Sequence, residues 1–131
     1  MAKTSSANLA EGQPKTAGYR VAAASSDGIV INQHFGRADI FYIYEVTGKG
    51  NYRFLETRTV TPVCDGGNHD EEKLCSSIDR FKDCKYILVS RIGIGAANRM
   101  EQSGVTPMEL PGMIGESLDK LAVYEQLQHL F

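Results

Sequence analysis

Lys85-Tyr86-Ile87-Leu88-Val89-Ser90 decides the fold through what stands on either side of it. The run is continuous and apolar, the pattern of a strand buried on both faces. Upstream, Asp70 to Phe81 places Leu74, Ile78 and Phe81 at i, i+4 and i+7, which predicts a helix with one apolar stripe. Asp70, Glu71 and Glu72 suit the positive end of that helix. Downstream, Gly93 and Gly95 lead into a short helix, Ala96 to Gln102, stopped by Gly104. Val105 to Leu110 returns as a strand ahead of Pro111-Gly112, and a last helix from Ile114 to Leu127 turns Ile114, Leu118 and Leu121 inward. Strands that alternate with helices in this way run parallel, joined by right-handed crossovers.

The half before this alternation reads differently. Tyr19-Arg20-Val21-Ala22-Ala23-Ala24 is a short strand of small apolar residues suited to a central position. Ser25-Ser26-Asp27-Gly28 is a turn, and the β-branched run Ile29-Val30-Ile31 is expected to pair back as the second arm of a hairpin. Asp39 to Val46 is an aromatic and β-branched strand, Thr47 to Asn51 a hairpin loop, and Tyr52 to Val60 an outer strand with one wet face. Thr61 to Asn68, with Pro62, Gly66 and Gly67, is expected to be a loop. The element order β-β-β-β-α-β-α-β-α predicts an α/β fold with a mixed sheet of about five strands flanked by helices, the arrangement of ribonuclease H-like folds. Such an architecture says nothing by itself about activity.

The 131 residues suit one domain, expected over 19–131. Residues 1–18 hold almost no large apolar side chain and are expected to be a disordered tail or linker. A net charge of −2 with both signs interspersed carries no footprint for nucleic acid or an anionic membrane. No apolar stretch approaches the roughly 18 residues that would span a bilayer. No apolar run at the start resembles a secretory signal, so the expected location is the cytoplasm. Cys64, Cys75 and Cys84 are odd in number and form no C-x-x-C pair, which argues against a disulfide framework.

His34, in Asn32-Gln33-His34-Phe35-Gly36, is the first candidate for chemistry. A neutral imidazole suits iron, zinc or copper, Gly36 permits close backbone approach, and Phe35 can anchor the loop in the core. Ser90-Arg91-Ile92-Gly93-Ile94-Gly95-Ala96 sets a Gly-x-Gly between a strand and a helix start, where backbone N–H groups can hold an anion. Asn98 stands where a dinucleotide fingerprint has its third Gly, which favours a tight packing turn over nucleotide binding. Cys75, bordering an apolar stripe, and Cys84, ahead of a buried strand, read as structural thiols. Met100, Met108 and Met113 read as fillers of core gaps.

The stretch Val30-Ile31-Asn32-Gln33-His34-Phe35-Gly36-Arg37-Ala38-Asp39-Ile40-Phe41-Tyr42-Ile43-Tyr44-Glu45-Val46 resembles the signature of the nitrogenase iron–molybdenum cofactor biosynthesis family, which includes NifX, NafY and the C-terminal domain of NifB. Cys64-Asp65-Gly66-Gly67-Asn68-His69-Asp70 resembles the C-x-G-G-x-x-D stretch of NifB-type members, and Asp83 to Gly93 is similar to the family's central strand. The likeness is greatest to the NifB C-terminal domain. It implies a ribonuclease H-like domain that binds an iron–sulfur cluster precursor or the iron–molybdenum cofactor and passes it between nitrogenase cofactor-assembly proteins, without a reaction of its own. It further implies an upstream radical-SAM domain in a longer chain.

By the same resemblance His34 matches the histidine implicated in cofactor binding, and Cys64 is a candidate second metal ligand, with His69 beside it. Arg37 and Arg91 become charge partners for an anionic cluster. Permanently held iron–sulfur clusters usually have four cysteine ligands, so three cysteines suit a transient hold. A protein-interaction module that docks assembly partners without binding a cluster is the alternative. Nuclease chemistry of the ribonuclease H type would need carboxylates on the first strand, and Val21-Ala22-Ala23-Ala24 has none. The C-x-x-x-C-x-x-C motif of the NifB radical domain is also absent from the chain.

Overall fold

The computed structural model describes residues 18–62, 64–65, 68–69 and 71–129, with the backbone alone at 64, 65, 68, 69 and 71. The expected tail over residues 1–17, Gly66, Gly67 and Asp70 therefore lie outside the described residues. In chain order the strands are β1 (Tyr19–Ala24), β2 (Val30–Ile31), β3 (Ile40–Gly48), β4 (Asn51–Thr59), β5 (Cys64–Asp65), β6 (Asn68–His69), β7 (Tyr86–Val89), β8 (Thr106–Glu109) and β9 (Gly112–Met113). The helices are α1 (Glu71–Asp79), α2 (Ile94–Gln102) and α3 (Ile114–Gln128), with a 3-10 turn at Phe35–Arg37.

Five strands form the main sheet in the order β4-β3-β1-β7-β8. β1 pairs antiparallel with β3 and parallel with β7, and β7 pairs parallel with β8. The mixed sheet and its parallel half are as the element pattern predicts. Alternation along the strands divides the core in two. Ala22, Ala24, Phe41, Ile43, Ile87 and Val89 pack with Ile78, Phe81 and Met100 from the α1 and α2 side. Val21, Ala23, Val46 and Leu88 pack against Ile114, Leu118 and Leu121 of α3. Phe81, just past α1, meets Phe41 with ring centroids 4.6 Å apart. Full burial of each such side chain stabilises the fold by roughly 1.5–3 kcal/mol.

Helix α2 ends as its glycine predicts. Gly104 sits at φ 90°, where its N–H donates to Glu101 C=O (3.0 Å) and the Val105 N–H donates to Met100 C=O (3.1 Å). These two bonds satisfy carbonyls that the helix end would leave orphaned.

Two expectations about the strands fail. Ile29-Val30-Ile31 does not fold back on β1: β2 pairs antiparallel with β9, Ile31 opposite Gly112 and Val30 opposite Met113. Both edges of β1 are already taken, by β3 over six positions and by β7, so a hairpin partner has no ladder to join. The turn also steers the chain away, because Asp27 Oδ1 accepts the N–H groups of Ile29 (2.9 Å) and Val30 (3.1 Å). The second failure lies in Thr61–Asn68, expected as loop throughout. Cys64–Asp65 and Asn68–His69 form a two-stranded antiparallel pair in which Cys64 stands opposite His69. Among the described residues no helix is long and apolar enough to cross a membrane.

Candidate functional site

The His34 segment lies at the carboxyl end of β7, on the parallel half of the sheet, where loops gather and ligands are usually met. Ser90 N–H donates to Gln33 C=O (3.0 Å) and Phe35 N–H donates to Arg91 C=O (2.9 Å). These bonds make a parallel bridge of His34 with Arg91, so two residues far apart in sequence become neighbours. Beyond it the chain tightens into the 3-10 turn, with Arg37 and Ala38 N–H groups both donating to His34 C=O at 3.0 Å. Phe35 is only 3% exposed and Ala38 is buried, while His34, Arg37 and Arg91 are all exposed. Phe35 packs beside Phe41 at a ring-centroid distance of 6.3 Å, the anchoring role expected of it.

The β5 segment, Cys64–Asp65, lies against the Phe35–Arg37 turn. The fold thus gathers the backbone of Cys64 with His34, Arg37 and Arg91 at one place. Among the described residues, no three His, Cys, Asp or Glu side chains converge to hold a metal ion. The exposed donor at this rim is the imidazole of His34, with the guanidinium groups of Arg37 and Arg91 nearby for negative charge.

Two residues that sequence reasoning passed over hold the arms of the site. The Asn32 amide accepts Ser26 N–H (3.1 Å) and donates to Ser26 Oγ (3.0 Å), tying the approach to His34 onto the loop after β1. Glu109, at the end of β8, accepts Ile92 N–H at 3.0 Å and so fixes the turn that follows Arg91. Neither contact leaves a local trace in the sequence, although Asn32 stood inside the quoted motif. Hydrogen bonds from Ile29 N–H, then Val30 N–H, favour the charged Asp27 carboxylate and hold its carboxyl below its ordinary range. Gly28 is at φ 78°, and a Cβ there would come within 2.8 Å of the Tyr42 ring.

Other candidates fall elsewhere. Gly93 and Gly95 are not in a close-packed turn: a Cβ added at either meets nothing within 4 Å, so there is open space at the start of α2. Cys75 is half-buried between α1 and α2 and accepts from Arg99 Nη2 at 2.8 Å. Cys84 is buried, and desolvation, followed by the charge of Asp83, pushes its thiol up to about 12. Met100 is core and Met108 packs at its margin, as expected, but Met113 is exposed on β9.

Fold and rim define a small α/β domain that presents an exposed imidazole and two guanidinium groups at the carboxyl edge of its sheet. Residues 18–123 match the family model described as dinitrogenase iron-molybdenum cofactor, and the chain belongs to that family. It is 36% identical over 104 residues to the FeMo cofactor biosynthesis protein NifB of Frankia alni, covering 77% of this chain and 20% of that protein. It is likewise 36% identical over 110 residues to NifB of Azotobacter vinelandii, covering 82% and 22%. The chain thus spans about a fifth of the length of these relatives.

Two solved structures share the fold. The NMR structure of a Thermotoga protein named after NifB superimposes with a TM-score of 0.53 at 24% identity, over 80% of this chain and 88% of that one. The crystal structure of a Methanocaldococcus jannaschii protein described as a dinitrogenase gives 0.53 at 13% identity, over 83% and 92%. The resemblance carried by the His-Phe-Gly stretch is borne out, and the family is one of nitrogenase iron–molybdenum cofactor biosynthesis.

Proposed function

We propose that this chain binds an iron–sulfur cargo, a cluster precursor or the iron–molybdenum cofactor, and delivers it during nitrogenase cofactor assembly without catalysing a reaction itself. His34 is the principal ligand, Cys64 the second, and Arg37 and Arg91 balance the negative charge of the cargo. The observation that carries this reading is the β-bridge that places exposed His34 beside exposed Arg91, with the Cys64–Asp65 backbone against the same turn. A hold by one or two protein donors releases its cargo more readily than four thiolates would. The open space around Gly93 and Gly95 supports the approach of a bulky anion to the start of α2.

The proposal extends to setting. The fold is of ribonuclease H-like type, supported by the order β4-β3-β1-β7-β8 with β3 alone running against the other four strands. Residues 19–131 act as one domain in the cytoplasm, with 1–18 as a tail or linker. The partners are other cofactor-assembly proteins, including a radical-SAM domain upstream in a longer chain. The match to only about a fifth of each NifB relative supports that last point.

Anaerobic reconstitution with an iron–sulfur precursor, followed by visible and electron-paramagnetic spectroscopy, tests the reading on wild type, His34→Ala and Cys64→Ala. Cluster signals in wild type that weaken strongly in His34→Ala and less in Cys64→Ala are expected. Absence of any signal in wild type, with partner binding retained, would make the domain a docking module instead.

A further inference from the structure

The two edges of the main sheet are treated differently. β8 is short, Thr106–Glu109, and carries Pro107, which blunts it against further pairing. β4 runs over nine residues, Asn51–Thr59, with neither proline nor lysine, and among the described residues no strand pairs with its outer side. Tyr52 and Phe54 stand on that edge, with Phe54 52% exposed and its ring 5.7 Å from Tyr44 and 6.2 Å from Tyr42. Its length and aromatic side chains make this edge available to another strand, on a register that has to accommodate the β-bulge at Leu55.

The charges on β4 say which strand. Residues three apart in a regular strand point to opposite faces. Here the register shifts, Glu45 opposite Arg53 and Ile43 opposite Glu56, with Leu55 as the extra residue. Ile43 and Glu45 share a face of β3, so the bulge puts Arg53 and Glu56 on one face of β4 as well. Both remain solvent-accessible while paired at home: Arg53 with Glu45 (2.7 Å) at 72% exposure, and Glu56 with Arg58 (2.7 Å) at 51%. In an antiparallel two-fold pairing of β4 with β4 about the Phe54–Leu55 step, each Arg53 faces the other copy's Glu56. The same register sets Tyr52 against Thr57 on the α3 side and brings the two Phe54 rings next to the axis.

We infer that the outer edge of β4 is a self-complementary surface on which a second copy of this chain pairs antiparallel, Arg53 to Glu56 in both directions. The pairing joins two five-stranded sheets into one and covers the exposed Phe54 side chains. It lies on the edge opposite β8 and is independent of whether the His34 rim binds a cargo.

Sedimentation equilibrium on the full chain, from micromolar to millimolar concentration, tests this with two charge reversals. Wild type is expected to dimerise. Arg53→Glu alone opposes two pairs of carboxylates, Glu56→Arg alone opposes two pairs of guanidinium groups, and each is expected to weaken self-association at least tenfold. Mixing the two variants restores opposite charges at both contacts, so a heterodimer is expected where neither variant associates alone. That outcome also shows that both variants are folded. Wild type that stays monomeric throughout, reversals that leave the dimer intact, or a mixture that does not associate would each overturn the inference; a monomeric wild type would leave the edge to a strand from a different protein.

Discussion

Phe35→Ala probes the step on which the site depends, the anchoring of an exposed histidine by the buried residue next to it. Phe35 is 3% exposed and packs beside Phe41, which in turn packs tilted against Phe81. Truncation removes most of an aromatic ring from a packed cluster, and such changes cost about 3–5 kcal/mol when the surroundings cannot collapse. Phe35 lies at the end of the α1–α2 side core near the loops, so the lower part of that range, about 3 kcal/mol, is expected. For a domain of this size the fall in Tm is then roughly 12 °C. The backbone bonds from Phe35 N–H to Arg91 and from Ser90 N–H to Gln33 survive the substitution but lose the ring that holds them in register. Urea denaturation measures the global loss, and hydrogen exchange at the Phe35 and Ser90 amides measures the local one. Both amides should exchange faster than those of β1 by more than the global loss explains. A global loss under about 1 kcal/mol, or unchanged exchange at both amides, would refute the anchoring argument.

Three further outcomes follow from the same structure. Glu125 is opposed by burial, but hydrogen bonds from Lys85, then Tyr86 and His129, outweigh it and hold its carboxyl down to about 2. A depressed carboxyl contributes stability above its unfolded range that fades as pH falls; wild type should therefore exceed Glu125→Gln by about 2 kcal/mol at neutral pH and approach it near pH 2 in urea titrations. Gly28→Ala meets both a left-handed backbone and the Tyr42 ring and should cost about 1–3 kcal/mol, read as a lowered Tm, whereas an unchanged Tm would mean that the turn relaxes freely. Cys84, buried and with its thiol pushed up to about 12, should react with a thiol reagent at pH 8 only on unfolding, with mass spectrometry locating the label.

Legibility in the sequence followed the range of the interactions involved. β1, β7 and α3 announce themselves because a continuous apolar run or a helical stripe is local, and the structure places them as that pattern predicts. β2 carries a β-branched run that reads as a hairpin arm, yet its partner is Gly112–Met113, and a two-residue strand has no periodicity to reveal so distant a pairing. The β5–β6 pair escaped for the same reason. Met113 looked like core because methionine usually is, but its place on β9 leaves it exposed. At the rim, the His-Phe-Gly stretch marked His34 and Arg37, and the strand end marked Arg91. What joined them was a pair of backbone hydrogen bonds that no composition can encode, and Glu109 enters only through the fold.

The central claim, that His34 takes the cargo, is tested most directly by iron retention. Wild type and His34→Ala are loaded anaerobically with the same iron–sulfur precursor, passed through a desalting column, and analysed for iron per chain. The account predicts that wild type keeps its iron while His34→Ala, with an unchanged Tm, retains at most about a tenth as much, since losing a ligand costs at least as much as losing one of its outer-shell partners. Equal iron in the two proteins would contradict it.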